Sequence, residues 1–479
     1  MSSTVGGLRA RLVGEVLEAG DDGYEQARTV WNGDIDRRPA LIARCASVED
    51  VVAAVRHGVE QGLDIAVRGG GHSMSGQSVV DDGLMIDLSP LNAVTVDPES
   101  RRARSGGGAL LGDLVDAAQE HGLALPVGVV SHTGVGGLTL GGGMGWLTRQ
   151  HGLTIDNLLS AEVVLADGRV VRASADEHPD LFWALRGGGG NFGVVTEFEF
   201  ALHPVGPMIE FGMLFWGLDQ GAEALRAARE VLGSLPPGVN VILGALNAPP
   251  APFVPPEHQG QPGFAAVVAG FDGEHEHREV LERLRSAVPT LWEVATPMPY
   301  GALQRMLDEP NAWGQHYYDK GLYLEELTDD VIDTLVEHVP LKASPLSVVL
   351  LYRLDAAFSA VAEDATAFSG RSPRYAAFII ADAPVPELLP PDRAWVRALH
   401  GALSAAGTAE TYVNALDDDG TEGRVRRAYG AQKYDRLARI KREYDPANVF
   451  RRNANIRPAA AAPAQRTPGE APAEVDARG

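Results

Sequence analysis

The sequence predicts an α+β protein in which crossover units and antiparallel hairpins are mixed in one region and a sheet covered by helices makes up another. Three observations carry this. Strand and helix signals alternate over residues 38–205. An Asp-Gly pair lies between two alternating apolar runs in "AEVVLADGRVVRAS" (161–174), which is a hairpin signature. Residues 206–408 repeat amphipathic helices and apolar strands between proline-rich loops such as "NAPPAPFVPPEHQGQPG".

The N-terminal "MSSTVGGLRARLVGEVLEAGDD" reads as a short amphipathic helix, without the basic start and continuous apolar run of a signal peptide. "SVEDVVAAVRHGVEQG" (47–62) predicts a helix capped by Ser47, with Asp50 three residues on and Gly62 as its stop. "LDIAVRG" and "GLMIDLSPL" are short apolar runs bounded by Gly and Asp, hence strands. "LLGDLVDAAQEHG" predicts a helix closed by Gly122, "DEHPDLFWALRG" another helix, and "FGVVTEFEFAL" a strand. In the middle region "HREVLERLRSAV" and "DDVIDTLVEHV" predict helices, while "FAAVVAGF", "SPLSVVLLYRL" and "YAAFIIA" predict strands. Residues 409–456 read as a strand ("ETYVNAL"), a polar turn and one helix ("EGRVRRAYGAQKYDRLARIKREYD"). The expected division is residues 1–205, 206–408 and 409–458, with 459–479 an Ala/Pro/Glu-rich disordered tail.

Composition narrows the function. The chain has 479 residues, 45% hydrophobic and 22% charged, as a soluble globular protein does. A net charge of −23 argues against nucleic acid or an anionic membrane surface as partner, because nothing offsets phosphate repulsion. The single cysteine, Cys45, excludes a disulfide framework and a thiolate metal cluster within one chain, and no metal is expected. No stretch approaches the ~20 apolar residues that span a bilayer, so a cytoplasmic location is the expectation.

Four glycine clusters fall in the first region: "RGGGHSMSG" (68–76), "SGGGALLG" (105–112), "GVGGLTLGGGMG" (134–145) and "GGGGNFG" (187–193). Glycine lets backbone amides approach phosphate oxygens, so four clusters point to a large anionic cofactor. Gly188, Gly190 and Gly193 satisfy G-x-G-x-x-G, but a helix precedes them and a strand follows, the inverse of a dinucleotide-binding turn. A Walker loop is excluded because the chain contains no Gly-Lys dipeptide. "GHSMS" misses the nucleophile elbow, since Ser75 stands where its last glycine belongs. The histidines of "EHEHRE" (274–279) start a charge-dense helix and read as a solvated face.

The loop "VRGGGHSMSG", the run "PVGVVSHTGVGGLTLGGGMGWLTRQHGLTIDNL" and the end "KREYDPANVFRRNANIRP", in this order, resemble the FAD-linked oxidases of the vanillyl-alcohol oxidase type, most closely the berberine-bridge-enzyme-like branch. The resemblance runs from about residue 30 to residue 458. It implies a split FAD-binding (PCMH-type) domain of two α/β subdomains, built from both ends of the chain. By the same resemblance, a middle substrate domain, an antiparallel sheet covered by helices, would lie over the ring.

It also implies the site. Arg68, Gly69, Gly70, Gly71, His72 and Ser73, with Gly76, would wrap the pyrophosphate. His72 matches the histidine that bonds covalently to the flavin 8α-methyl, and a neutral imidazole is a competent nucleophile for that addition. A second link in many members comes from a cysteine four residues before the Gly-x-Gly-Gly turn. Here Gly134 opens that turn and Val130 holds the position, so a single link is expected. Ser131, Gly136, Gly137 and Leu138 belong to the same flavin-binding run. Thr133 falls where the family controls oxygen access, and a small residue there fits an oxidase; Thr133 with Leu138 also resembles members that stabilise a flavin N5-oxide. Gly141, Gly142 and Gly143 would pass close to the ring, Asp156, Asn157, Gly193 and Val195 would line the adenosine side, and Asn453 and Asn455 match the C-terminal Asn-x-Asn turn.

Oxidising a C–H bond needs a hydride acceptor, which the flavin supplies, and a base for the neighbouring O–H or N–H. Tyr412 and Asn414 match the family's Tyr-x-Asn and are placed on one strand face, with Tyr412 the first candidate base and His316 the second. Ala415 replaces an aromatic often found there. Tyr318, Lys320, Tyr323, Tyr352 and Arg353 are further candidates. The function expected is an oxidase of an alcohol, sugar or natural-product substrate, with molecular oxygen as the second partner. The alternatives are a dehydrogenase or oxygenating enzyme on the same fold, and a non-enzymatic flavin-binding protein.

Overall fold

The structure, a computed structural model, describes residues 2–408, 410–416 and 422–460. Its first region holds two larger sheets, beside a two-stranded one made by Leu123–Ala124 and His203–Pro204. In one, the strands Leu41–Arg44, Leu84–Asp87 and Ile65–Arg68 run parallel, with the short Glu15–Leu17 antiparallel at the edge. The helix Val48–Gln61 makes the crossover; Ser47 caps it by accepting from the Asp50 amide, and Gly62 closes it at φ 63°. The second sheet is antiparallel, in the order Val94–Asp97, Arg102–Gly106, Val194–Ala201, Leu158–Val164, Val170–Ser174. Its last pair is the Asp-Gly hairpin expected from sequence.

Seven antiparallel strands between Met208 and Ala383 form one sheet, with the edge strands Trp292–Pro299 and His316–Leu324. One face carries the helices Gly221–Leu232, Glu274–Ala287, Asp329–His338 and Leu389–Leu403. In the first, Ala224, Leu225, Ala228, Val231 and Leu232 recur at helical spacing and are buried. The other face looks toward the first region and shares its core.

Three elements differ from the sequence reading. The N-terminal helix ends at Arg9, and a strand follows, because the Asp50 carboxylate accepts from the Val13 and Gly14 amides at 2.8 and 2.9 Å and turns the chain. Residues 410–416 form no strand; after the bridge between Leu324 and Gly407 the chain leaves the sheet and makes a short 3₁₀ turn, Val413–Ala415. The C-terminal helix is two, Glu422–Tyr429 and Ala431–Tyr444, separated at Gly430, whose φ of 72° a continuing helix cannot hold. The expected tail lies, from residue 461 on, outside the described residues.

Candidate active site

The loop after strand Ile65–Arg68 leaves the carboxyl end of a parallel strand, where open α/β sheets place their ligands. It opens one wall of a cavity of about 430 Å³. Gly69, Gly70, Gly71, His72 and Ser73 line it, and so do Val130, Thr133, Gly134, Gly136, Gly137 and Leu138 from the second glycine run. The two loops touch through their backbones. A Cβ on Gly70 would lie 2.3 Å from the Gly134 nitrogen, and one on Gly134 2.3 Å from the Gly70 nitrogen. Glycine is therefore required at both positions by contact.

His72 stands inside this cavity. Its ring stacks on Trp31 at 4.0 Å and 16°, and Trp31 stacks in turn on Tyr317 at 3.6 Å. Its Nε2 is 3.0 Å from Nδ1 of His132. Burial, reinforced by the neighbouring His132, pushes the His72 pKa down to about 3, so the imidazole is neutral throughout the ordinary pH range.

Gly193, Val195 and Asn453 also line the cavity, as do Tyr412 and Asn414. The remaining expected residues stand behind it. The Arg68 guanidinium turns back to donate to the Ala27 carbonyl. Gly76 packs on Ile35, and its carbonyl accepts from Arg37. Ser131 binds Asp308 through its amide and its hydroxyl. Gly141 and Gly142 sit beneath Asn414, Phe368 and Tyr412, and Gly143 packs on Thr154. Asp156 and Asn157 are not cavity residues: Asp156 forms a bidentate ion pair with Arg371 at 2.8 and 2.6 Å, and Asn157 bonds His203 and the carbonyls of His151 and Leu153. Asn455 stays off the lining with its Oδ1 buried and unpartnered.

The substrate sheet forms the opposite wall. Strand alternation decides which of its side chains reach the cavity. Along His316–Leu324, Asp319 lines the cavity, whereas His316 does not. His316 Nδ1 lies 3.9 Å from Asp34, and on the same face of the strand Tyr318 stacks with Arg393 and Arg397. His316 is thus removed as a candidate base. Leu350, Tyr352, Phe378 and Ile380 join Asp319 on the cavity face. Arg353 points the other way, onto Tyr375 and Asp355.

Tyr412 and Asn414 do meet, through a turn instead of a strand. The Tyr412 hydroxyl accepts from the Gly143 amide at 3.0 Å and from Asn414 Nδ2 at 3.1 Å. Burial raises the Tyr412 phenol pKa against the pull of those two donors. Asp319 was absent from the sequence candidates. Its carboxyl is pushed up to about 7 by burial, with Lys320 and Arg424 opposing.

FAD, which the resemblance implies, fits what lines this cavity. Space is left where Gly137 and Gly190 face it: a Cβ on either would meet no protein atom within 4 Å. Asn453 Oδ1 and Arg452 Nε are buried without partners at one end, and Arg452 brings a cation suited to a pyrophosphate. Arg452, His132 and Trp31 were all missed from sequence; His132 alone had a signal, its place between Ser131 and Thr133.

Comparisons with known proteins agree. A family model described as an FAD binding domain matches residues 39–174, and one described as berberine and berberine like matches residues 411–457. The chain is 33% identical to (R)-6-hydroxynicotine oxidase of Paenarthrobacter nicotinovorans over 93% of this chain and 97% of that one. The crystal structure of 6-hydroxy-D-nicotine oxidase from Arthrobacter nicotinovorans superposes with a TM-score of 0.81 at 29% identity, covering 93% and 98% of the two chains. A glucooligosaccharide oxidase of Acremonium strictum, whose FAD is 6-S-cysteinyl and 8α-N1-histidyl linked, superposes at 0.82 with 26% identity over 95% and 100%. The chain is an FAD-dependent oxidoreductase and belongs to the FAD-linked oxidases of the vanillyl-alcohol oxidase type, in their berberine-bridge-enzyme-like branch.

Proposed function

We propose that the protein is an oxidase that holds FAD by one covalent bond, from His72, and oxidises a C–H bond next to an O–H or N–H group of a small molecule, with molecular oxygen as electron acceptor. The observation that carries this is the setting of His72. A neutral imidazole stands in the cavity with its plane fixed by Trp31 and its Nε2 held by His132. When Nε2 carries the proton and donates to His132, the lone pair is left on Nδ1, which is the nucleophile. No thiol stands at Val130, so a second link has no donor there.

Bound FAD supplies the hydride acceptor. The rest falls to the chain. The glycine loops approach the pyrophosphate by backbone, with Arg452 as counter-charge. Asp319 takes the substrate proton, because its carboxyl ionises near neutral pH, where a general base is most effective. Tyr412 is the positioning phenol: its oxygen is fixed by Gly143 and Asn414, which leaves its own O–H to point at the substrate. Thr133, small and on the cavity wall, leaves room for oxygen.

The test is to precipitate the holoprotein in acid. Yellow colour in the pellet, a mass increase of one FAD, and colour released to the supernatant in His72→Ala are the expected results. Colour in the wild-type supernatant overturns the covalent link. Slow reoxidation of the reduced protein by oxygen, without hydrogen peroxide, overturns the oxidase and leaves a dehydrogenase.

A further inference from the structure

We infer that Asn32 is a positioning residue: it ties the loop that carries His72 to the strand that carries Asp319, and so fixes the spacing between the flavin's attachment point and the proton acceptor. This rests on the oxidase reading, in which His72 bonds the flavin and Asp319 takes the proton.

Asn32 lies between the helix Tyr24–Arg28 and the strand Leu41–Arg44, and it does not line the cavity. It is 1% exposed, and its amide is used in full. Nδ2 donates to the Met74 carbonyl at 2.7 Å and to the Tyr317 carbonyl at 3.1 Å. Oδ1 accepts from the Tyr317 amide at 3.0 Å and from the Asp34 amide at 3.1 Å. Two donated and two accepted bonds exhaust what an asparagine amide offers, so its plane and its direction are both set. Met74 is two residues beyond His72, and Tyr317 is two residues before Asp319. One side chain therefore reaches from the nucleophile's loop to the base's strand.

The substrate-sheet end of this tie is stiff. His316–Leu324 is an edge strand, and Asn32 meets both the N–H and the C=O of Tyr317, as a neighbouring strand would. Alternation puts Tyr317 and Asp319 on one face, opposite Asp382 and Ile380, so anchoring the first anchors the second. Trp31, the residue before Asn32, sets the other dimension. Its ring is sandwiched between those of His72 and Tyr317, at 4.0 and 3.6 Å. Backbone bonds repeat the pattern: the Trp31 amide donates to the Gly71 carbonyl at 3.0 Å, and the Gly33 amide to the Gln315 carbonyl at 2.7 Å. A Cβ on Gly33 would lie 2.3 Å from the Gly314 carbonyl oxygen, so the two segments are pressed together. Spacing of this kind matters because a misplacement of about 1 Å can cost a reacting pair about 10²-fold in rate.

The test compares the holoproteins of the wild type, Asn32→Ser and a control, Asp355→Asn. Asp355 accepts from Arg149, another tie between the two regions, but neither residue lines the cavity. Two quantities are read besides Tm. The first is the share of flavin that stays in the pellet after acid precipitation. The second is the rise in flavin midpoint potential that Asp319→Asn produces at pH 8, where the carboxylate it removes is charged. That rise reads the reach from Asp319 to the ring, because the interaction weakens with distance. Asn32→Ser should leave roughly ten times more flavin in the supernatant than the wild type does. In its background the rise caused by Asp319→Asn should shrink by about half or more. Asp355→Asn should lower Tm and leave both quantities as in the wild type. Either quantity unchanged in Asn32→Ser overturns the proposal. An equal loss in Asp355→Asn also overturns it, since Asn32 would then be a structural tie only. Should Asn32→Ser fail to fold, the wild-type background decides: no rise in potential on Asp319→Asn overturns the proposal without any variant of Asn32. Wild-type flavin found wholly in the supernatant overturns the covalent link instead, and a protein that carries no flavin overturns the oxidase reading itself.

Discussion

The two walls of the cavity are built on opposite plans. The flavin-side wall is backbone: two glycine runs so close that neither Gly70 nor Gly134 has room for a Cβ. The substrate-side wall is side chains: Asp319, Leu350, Tyr352, Phe378 and Ile380, one or two from each of three neighbouring strands. Where its two runs touch, a backbone wall has no room for a side chain. A side-chain wall can be rewritten residue by residue on the same sheet, which is how one scaffold accommodates different substrates.

The largest effect is therefore expected on the backbone wall. Gly70→Ala puts a methyl 2.3 Å from the Gly134 nitrogen and 2.5 Å from its Cα, and neither atom belongs to a side chain that can rotate away. We expect protein with almost no flavin, read from the ratio of visible to ultraviolet absorbance. A fully yellow Gly70→Ala protein would break the contrast between the walls.

On the side-chain wall a conservative change should leave the fold and take the chemistry. Asp319→Asn is expected to lower kcat by about 10²-fold, the usual worth of a positioned base. It should also remove the rise of wild-type activity as pH passes about 7. Stability should move in the opposite direction. Burial raises the folded Asp319 pKa above its ordinary value, so the folded state binds the proton more tightly than the unfolded chain does. Stability from this group falls as pH climbs from about 4 to about 7. Asparagine has no such cost: Tm should rise at pH 8 and stay nearly unchanged at pH 4. A lower Tm at pH 8 would mean that Asp319 is structural.

The same contrast explains what could be read from sequence. His72, Thr133 and the glycines are contiguous, because a backbone wall is one or two stretches of chain, and contiguous residues make motifs. Asp319 carried a weaker signal that went unused. His316, Tyr318 and Lys320 share one strand face, and alternation hands the cavity to the residues between them. Tyr412 and Asn414 meet on a turn instead of the strand read from sequence, since a two-residue spacing is shared by both. Asp156 could not have been placed. Its partner, Arg371, is 215 residues away and belongs to the other domain's stretch of chain.

Gly137→Ala sharpens the comparison at a smaller scale. Gly137 lies within the helix Val135–Gly141 and on the cavity lining, and a Cβ there meets no protein atom within 4 Å. Alanine in a helix is favoured over glycine by about 0.5–1 kcal/mol, so the flavin-free protein should become slightly more stable. The space it enters is the cofactor's, so flavin incorporation should fall a few-fold. Unchanged incorporation would place the flavin elsewhere along the cavity.

The smallest effect is expected at His316, one residue before Tyr317 and three before Asp319 on the same strand. It faces away from the cavity, its Nδ1 has no hydrogen-bond partner, and the nearest carboxylate, Asp34, is 3.9 Å off. His316→Gln keeps a polar side chain of similar length and should change kcat and KM by less than about twofold, as substitutions remote from a site do. A large loss of kcat would show that the strand can present either face to the substrate, and the division of labour along it between Asp319 and His316 would have to be redrawn.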